Sequence, residues 1–145
     1  MRAEFPLPDT SWPVLAEYWA GAEAGELRIP RCEACGRYEW YPRETCSGCD
    51  GTALPWTVMS GKATLFSWSE VTFGWVPQFR DKVPFVSGLA ALDEDPAVRV
   101  ATLVVDASPG ALTVDMPLEA VFRPLEFTGV AGSVVVPLFR PATVA

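Results

Sequence analysis

Four cysteines stand in two tight pairs, Cys32-Glu-Ala-Cys35 and Cys46-Ser-Gly-Cys49, with ten residues between the pairs. Two Cys-x-x-Cys knuckles supply two thiolate pairs, which suits a tetrahedral ion that prefers soft or borderline ligands. Gly36 follows the first pair and can take the positive φ that a knuckle asks of its last residue. Asp50 holds the equivalent place after Cys49, and Asp tolerates that conformation better than most residues. A structural Zn2+ held by Cys32, Cys35, Cys46 and Cys49 is the expected occupant, although spacing alone does not separate zinc from iron. Disulfides are disfavoured without a secretory signal, and a redox pair would not explain two copies. With four protein ligands the ion has no open position, so it is expected to hold the fold and do no chemistry.

Histidine is absent from the 145 residues. That removes the usual proton carrier near neutral pH and excludes Ser-His-Asp and Cys-His nucleophiles within this chain. No carboxylate pair stands out, and Asp93, Glu94 and Asp95 read as a solvated turn. No catalytic residue is assigned.

The elements that position these residues follow from periodicity. Residues 11–24 read as an amphipathic helix, capped by Thr10 or Ser11, with Leu15, Tyr18, Trp19 and Ala22 on one face and Gly25 as the C′ residue. That face either packs on the chain's own barrel or meets a partner through Tyr18 and Trp19. Five apolar, β-branched runs follow the cysteines: Ala63–Phe73, Phe85–Leu92, Val98–Asp106, Leu118–Phe122 and Val134–Phe139. In the first, alternation puts Leu65, Val71 and Phe73 on one side and Phe66 and Trp68 on the other. The expected fold is mostly β: an N-terminal helical segment over 1–27, a rubredoxin-like zinc ribbon over 28–58 and a five-stranded OB-fold barrel over 59–145. A five-stranded SH3-like barrel fits the same pattern.

Charge narrows the partners. The formal balance of −7 divides into −4 over residues 1–27, zero over 28–58 and −3 over 59–145. There are two lysines and nine scattered arginines, a poor endowment for neutralising phosphates. Arg31, Arg37 and Arg43 lie near the cysteines and either offset the charge of the zinc–thiolate site or are simply solvated. No apolar run approaches the roughly 18 residues of a membrane span, and the start lacks a signal-peptide core. A cytoplasmic protein is the expectation.

At this point the chain resembles the DUF35 family of zinc-ribbon OB-fold proteins associated with acyl-CoA metabolism. The resemblance runs through Leu15-Ala-Glu-Tyr-Trp19, Leu27-Arg-Ile-Pro-Arg-Cys-Glu-Ala-Cys-Gly36, Tyr41-Pro-Arg43, Cys46-Ser-Gly-Cys49, Ser60-Gly-Lys62, Pro84-Phe-Val86, Ala90-Ala-Leu92 and Pro137-Leu-Phe-Arg-Pro-Ala142. Asp50 departs from the family's common glycine there. The resemblance implies a non-catalytic accessory subunit that docks on a thiolase-fold enzyme, such as a lipid-transfer-type aldolase or an acyltransferase. It further implies help in binding acyl-CoA, with steroid side-chain degradation as the preferred pathway. The competing reading is a single-stranded nucleic-acid binder, since ribbons and OB folds also serve that purpose.

The segment Gly74-Trp-Val-Pro-Gln-Phe-Arg-Asp-Lys-Val83 is long for a barrel connection. Trp75, Phe79, Arg80 and Lys82 give it the composition of a partner or ligand contact, or else it folds back and buries Trp75. Arg140, near the end of the chain, is a weaker candidate for meeting a phosphate.

Overall fold

The computed structural model describes residues 4–143, so the expected spans 1–27 and 59–145 begin and end outside it. One helix, α1 (Ala16–Glu23), precedes a two-stranded antiparallel ribbon of β1 (Leu27–Pro30) and β2 (Trp56–Met59). Five strands then close a barrel: β3 (Lys62–Val71), β4 (Phe85–Leu92), β5 (Arg99–Val104), β6 (Pro117–Leu125) and β7 (Val134–Pro141), in the order β3-β4-β5-β7-β6. All contacts are antiparallel except the one between β5 and β7, the closure of an OB barrel. No helix among the described residues is long and apolar enough to cross a membrane.

The helix is shorter than its pattern predicts. It starts at Ala16, its N-cap position is Leu15 with no side-chain cap, and the Ser11 hydroxyl donates to Asp9 instead. Its end follows expectation. Gly25 has φ +73, its N–H donates to Ala22 O, and the Glu26 N–H donates to Gly21 O at 2.8 Å, the paired bonds of a Schellman motif. Gly21 is needed for packing: a Cβ there would lie 2.8 Å from Glu26 O and 2.9 Å from the Arg28 side chain. Tyr18 and Ala22 are buried, while Leu15 and Trp19 are half-buried.

Phe139, Leu65, Leu92, Leu118 and Val100 form the sealed centre of the barrel. The same cluster runs without a break through Tyr18, Leu27, Ile29 and Met59, so helix, ribbon and barrel share one core. Strand β3 corrects the expected alternation. Leu65 pairs with Ala90, but Ser67 pairs with Leu89, so Phe66 is an extra residue. This bulge reverses the parity of the strand. Leu65 and Trp68 therefore both face the core, Trp68 opposite Gly88. Phe66 is turned outward, where the Arg99 guanidinium covers its ring at 3.8 Å. Phe73 lies beyond the end of the strand.

Candidate metal centre and contact surfaces

The two knuckles are near copies. The Gly36 N–H donates to Cys32 O at 2.8 Å, and the Asp50 N–H donates to Cys46 O at 3.0 Å. Gly36 has φ +76 and Asp50 has φ +61, as the motif requires of each. These turns bring the four Sγ atoms within 4.8 Å of one another, with Cys32–Cys49 and Cys35–Cys46 each at 3.6 Å. Tetrahedral zinc with Zn–S bonds of about 2.3 Å places its sulfurs about 3.8 Å apart. The donor set and spacing fit structural Zn2+. Gly51 clears the room, because a Cβ there would stand 3.2 Å from both Cys32 Sγ and Cys49 Sγ.

Electrostatics favours an ion as well. The Cys35 main-chain N–H holds the Cys32 thiol down, to about 7. Cys49 differs: the Gly51 N–H favours its thiolate, yet hydrogen bonding with Cys32 and Cys35 pushes it up to about 12. Four neighbouring sulfurs cannot all ionise without a cation among them. Zinc supplies two positive charges and allows all four thiolates to form.

A residue that the spacing did not single out braces the second knuckle. Glu39 is only 4% exposed, and it accepts from Ser47 N at 2.8 Å and from Ser47 Oγ at 2.7 Å. Burial by itself would raise its pKa. The Ser47 hydroxyl and amide, with Cys46 and Arg37 adding, outweigh burial and hold the carboxyl below its usual range. Arg37 stands 3.5 Å from Glu39, while Arg31 donates to Gly36 O and lies over Tyr38. Those two arginines brace the first knuckle and the segment after it.

The remaining expected contact residues separate into two places. Tyr18 is 6% exposed and sits in an aromatic series, 5.0 Å from Trp19 and 5.1 Å from Trp40, with Tyr41 4.9 Å beyond Trp40. Its ring is spent inside the chain, joining helix to ribbon, which leaves only Trp19 of that pair partly accessible. At the far end, Phe79 packs on Phe127 and Phe85, and the Lys82 ammonium lies 5.0 Å over Phe127. Trp75 is not folded under the loop. It is 84% exposed and its ring meets that of Phe73, itself 62% exposed, edge to face at 4.8 Å. Gly74 sets this projection, since a Cβ would come within 2.8 Å of the Arg80 backbone. Arg80 is exposed. Arg140 is not free for a phosphate: it pairs with Glu119 at 2.8 Å and Asp106 at 3.6 Å.

Two family models match end to end: the ChsH2 rubredoxin-like zinc ribbon domain over residues 19–55 and the ChsH2 C-terminal OB-fold domain over 56–123. A DUF35 domain-containing scaffold protein of Methanocaldococcus jannaschii is 30% identical over 100 residues, covering 68% of this chain and 69% of that protein. The chain belongs to the DUF35 family. Among solved structures, the Ltp2-ChsH2(DUF35) aldolase contains a chain that superposes with TM-score 0.76 at 25% identity, covering 94% of this DUF35 protein and 100% of that chain. A DUF35 protein of unknown function from Sulfolobus solfataricus shares the fold, with TM-score 0.56 at 14% identity over 90% and 86% of the two chains.

Proposed function

We propose that this DUF35 protein is a non-catalytic partner subunit that docks on a thiolase-fold enzyme and helps it hold acyl-CoA substrates. The observation that carries the reading is the likeness along 94% of the chain to the DUF35 chain of the Ltp2-ChsH2 aldolase. The zinc site agrees with it, because four protein ligands leave the metal no catalytic role. A chain with no histidine, the usual carrier of protons near neutral pH, agrees with it too. The exposed pair Phe73 and Trp75, with Arg80 beside them, is the projecting contact in this reading. Phe79 and Lys82 anchor the same loop by packing on Phe127. The reaction is aldol cleavage of acyl-CoA thioesters, with steroid side chains as the preferred substrates, in the cytoplasm.

Co-expression with the thiolase-fold proteins encoded by neighbouring genes tests this, with light scattering for assembly and an acyl-CoA cleavage assay. One stable hetero-oligomer, active only when the enzyme is present, is the expected result. Acyl-CoA turnover by the purified chain alone would overturn the reading. So would a chain that ignores those enzymes and instead binds oligonucleotides with a steep salt dependence.

A further inference from the structure

The barrel closes incompletely on one side. Strands β5 and β7 share a single register position, Val104 with Phe139. The Val105 N–H donates to Phe139 O, whereas the Leu92 N–H donates to Val98 O. By the two-residue period, odd-numbered residues of β5 thus turn their main chain toward β7 and even-numbered ones toward β4. The N–H and C=O of Ala101 therefore point into the seam, where β7 offers no register partner. On β7 the next residue facing the seam is Pro137, which has no N–H with which to extend the ladder.

A cavity of about 450 Å³ lies over this seam. Leu103 and Leu138 line its barrel side, and Trp19 and Trp40 its helix and ribbon side. The indole N–H groups of Trp19 and Trp40 are both buried without a hydrogen-bond partner among the described residues. Trp40 and Tyr41 also border a second, polar cleft of about 460 Å³ that contains Arg43. Arg43 is exposed and makes no ion pair among the described residues.

We infer that this seam is a docking groove for an extended polypeptide segment of the partner enzyme, which pairs with the Ala101 edge of β5. A hydrocarbon chain would satisfy the apolar walls and leave the Ala101 strand edge unpaired. An added strand meets both demands: main-chain groups for Ala101 and alternate apolar side chains against Leu103 and Leu138. Where the segment passes Tyr41, an acidic side chain reaches the uncommitted Arg43. This inference rests on the partner reading proposed above and locates part of that interface away from the Trp75 loop.

The test is the affinity of the complex formed with the neighbouring thiolase-fold enzyme, using Ala101→Pro and Leu103→Arg. Ala101 is exposed and its N–H is outside the β4 ladder, so proline there removes the seam donor without taking a donor from β4. At least tenfold weaker binding by both variants is expected, with zinc content and melting temperature unchanged. Slowed exchange of the Ala101 amide and shifted indole N–H resonances of Trp19 and Trp40 are expected in the wild-type complex. If Ala101→Pro fails to fold, Leu103→Arg and the exchange data carry the result. Full affinity in the folded variants, with an unprotected seam, overturns the groove and leaves the partner reading intact. No complex with any such enzyme removes both. Binding of octanoyl-CoA to the free chain, blocked by Leu103→Arg while the complex keeps its affinity, reassigns the groove to an acyl chain.

Discussion

The metal-binding segment and the barrel are ordered by opposite means. Between residues 31 and 55 the only β pairing is the isolated bridge of Arg31 with Tyr38. The buried apolar residues there are Cys32 and Cys46, two of the expected ligands. The barrel instead seals Leu65, Leu92, Val100, Leu118 and Phe139 behind a hydrogen-bonded wall. A segment too small to build a core can be organised by an ion, and binding that ion is then part of folding. The barrel carries no such ligand cluster among the described residues. Contact between the two passes through Tyr18, Leu27 and Ile29, which belong to the common core.

Removing the metal is the largest test of that contrast. A tight chelator, or Cys46→Ser, is expected to abolish zinc retention and melt residues 31–55, forfeiting an apparent binding energy of about 10–16 kcal/mol. Backbone amide spectra would show dispersed barrel signals beside collapsed ribbon signals. Loss of both sets together would mean that the barrel depends on the metal as well. Phe139→Ala should act the other way round. It should lower unfolding free energy by about 3–5 kcal/mol in denaturant titrations, while zinc stoichiometry stays at one.

Two smaller changes sharpen the comparison. Asp50→Gly relieves a non-glycine residue at φ +61 and is expected to raise ribbon stability by up to about 1 kcal/mol. A fall in thermal stability would mean that the Asp50 side chain makes its own contribution. In the barrel, the Arg123 guanidinium, with Arg140 adding, holds the Asp106 carboxyl below its ordinary range. Its contribution is therefore present above the unfolded carboxylate pKa and is lost as pH falls through the folded one. Asp106→Asn keeps a side chain suited to φ +58. It should lower the melting temperature slightly at pH 7 and not at all near pH 2. An effect of equal size at both pH values would refute the ion-pair account.

Some of this was readable from local spacing because local geometry decides it. The cysteine pairs, Gly36 and Asp50 each sit within a turn of a few residues, and the turn leaves little choice of conformation. Gly25 ends α1 for the same reason. The beginning of α1 was misread because Thr10 and Ser11 look like caps, yet Ser11 bonds Asp9 and the helix opens at Ala16 without one. Nothing in the spacing marks Glu39, since its burial depends on Ser47 folding over it from eight residues away.

The sequence by itself determined the zinc ligands, the family and the number of barrel strands, for knuckle spacing and two-residue alternation are properties of short stretches. Only the tertiary structure decided which way the aromatic residues face. Trp68 turns inward because a bulge against Leu89 shifts β3 by one residue. Tyr18 disappears between helix and ribbon, while Trp75 projects because Gly74 packs on the Arg80 backbone. Arg140 is committed to carboxylates 21 and 34 positions away. The open seam between β5 and β7 arises from how far two strands, distant in the chain, continue to run side by side, which no local pattern encodes.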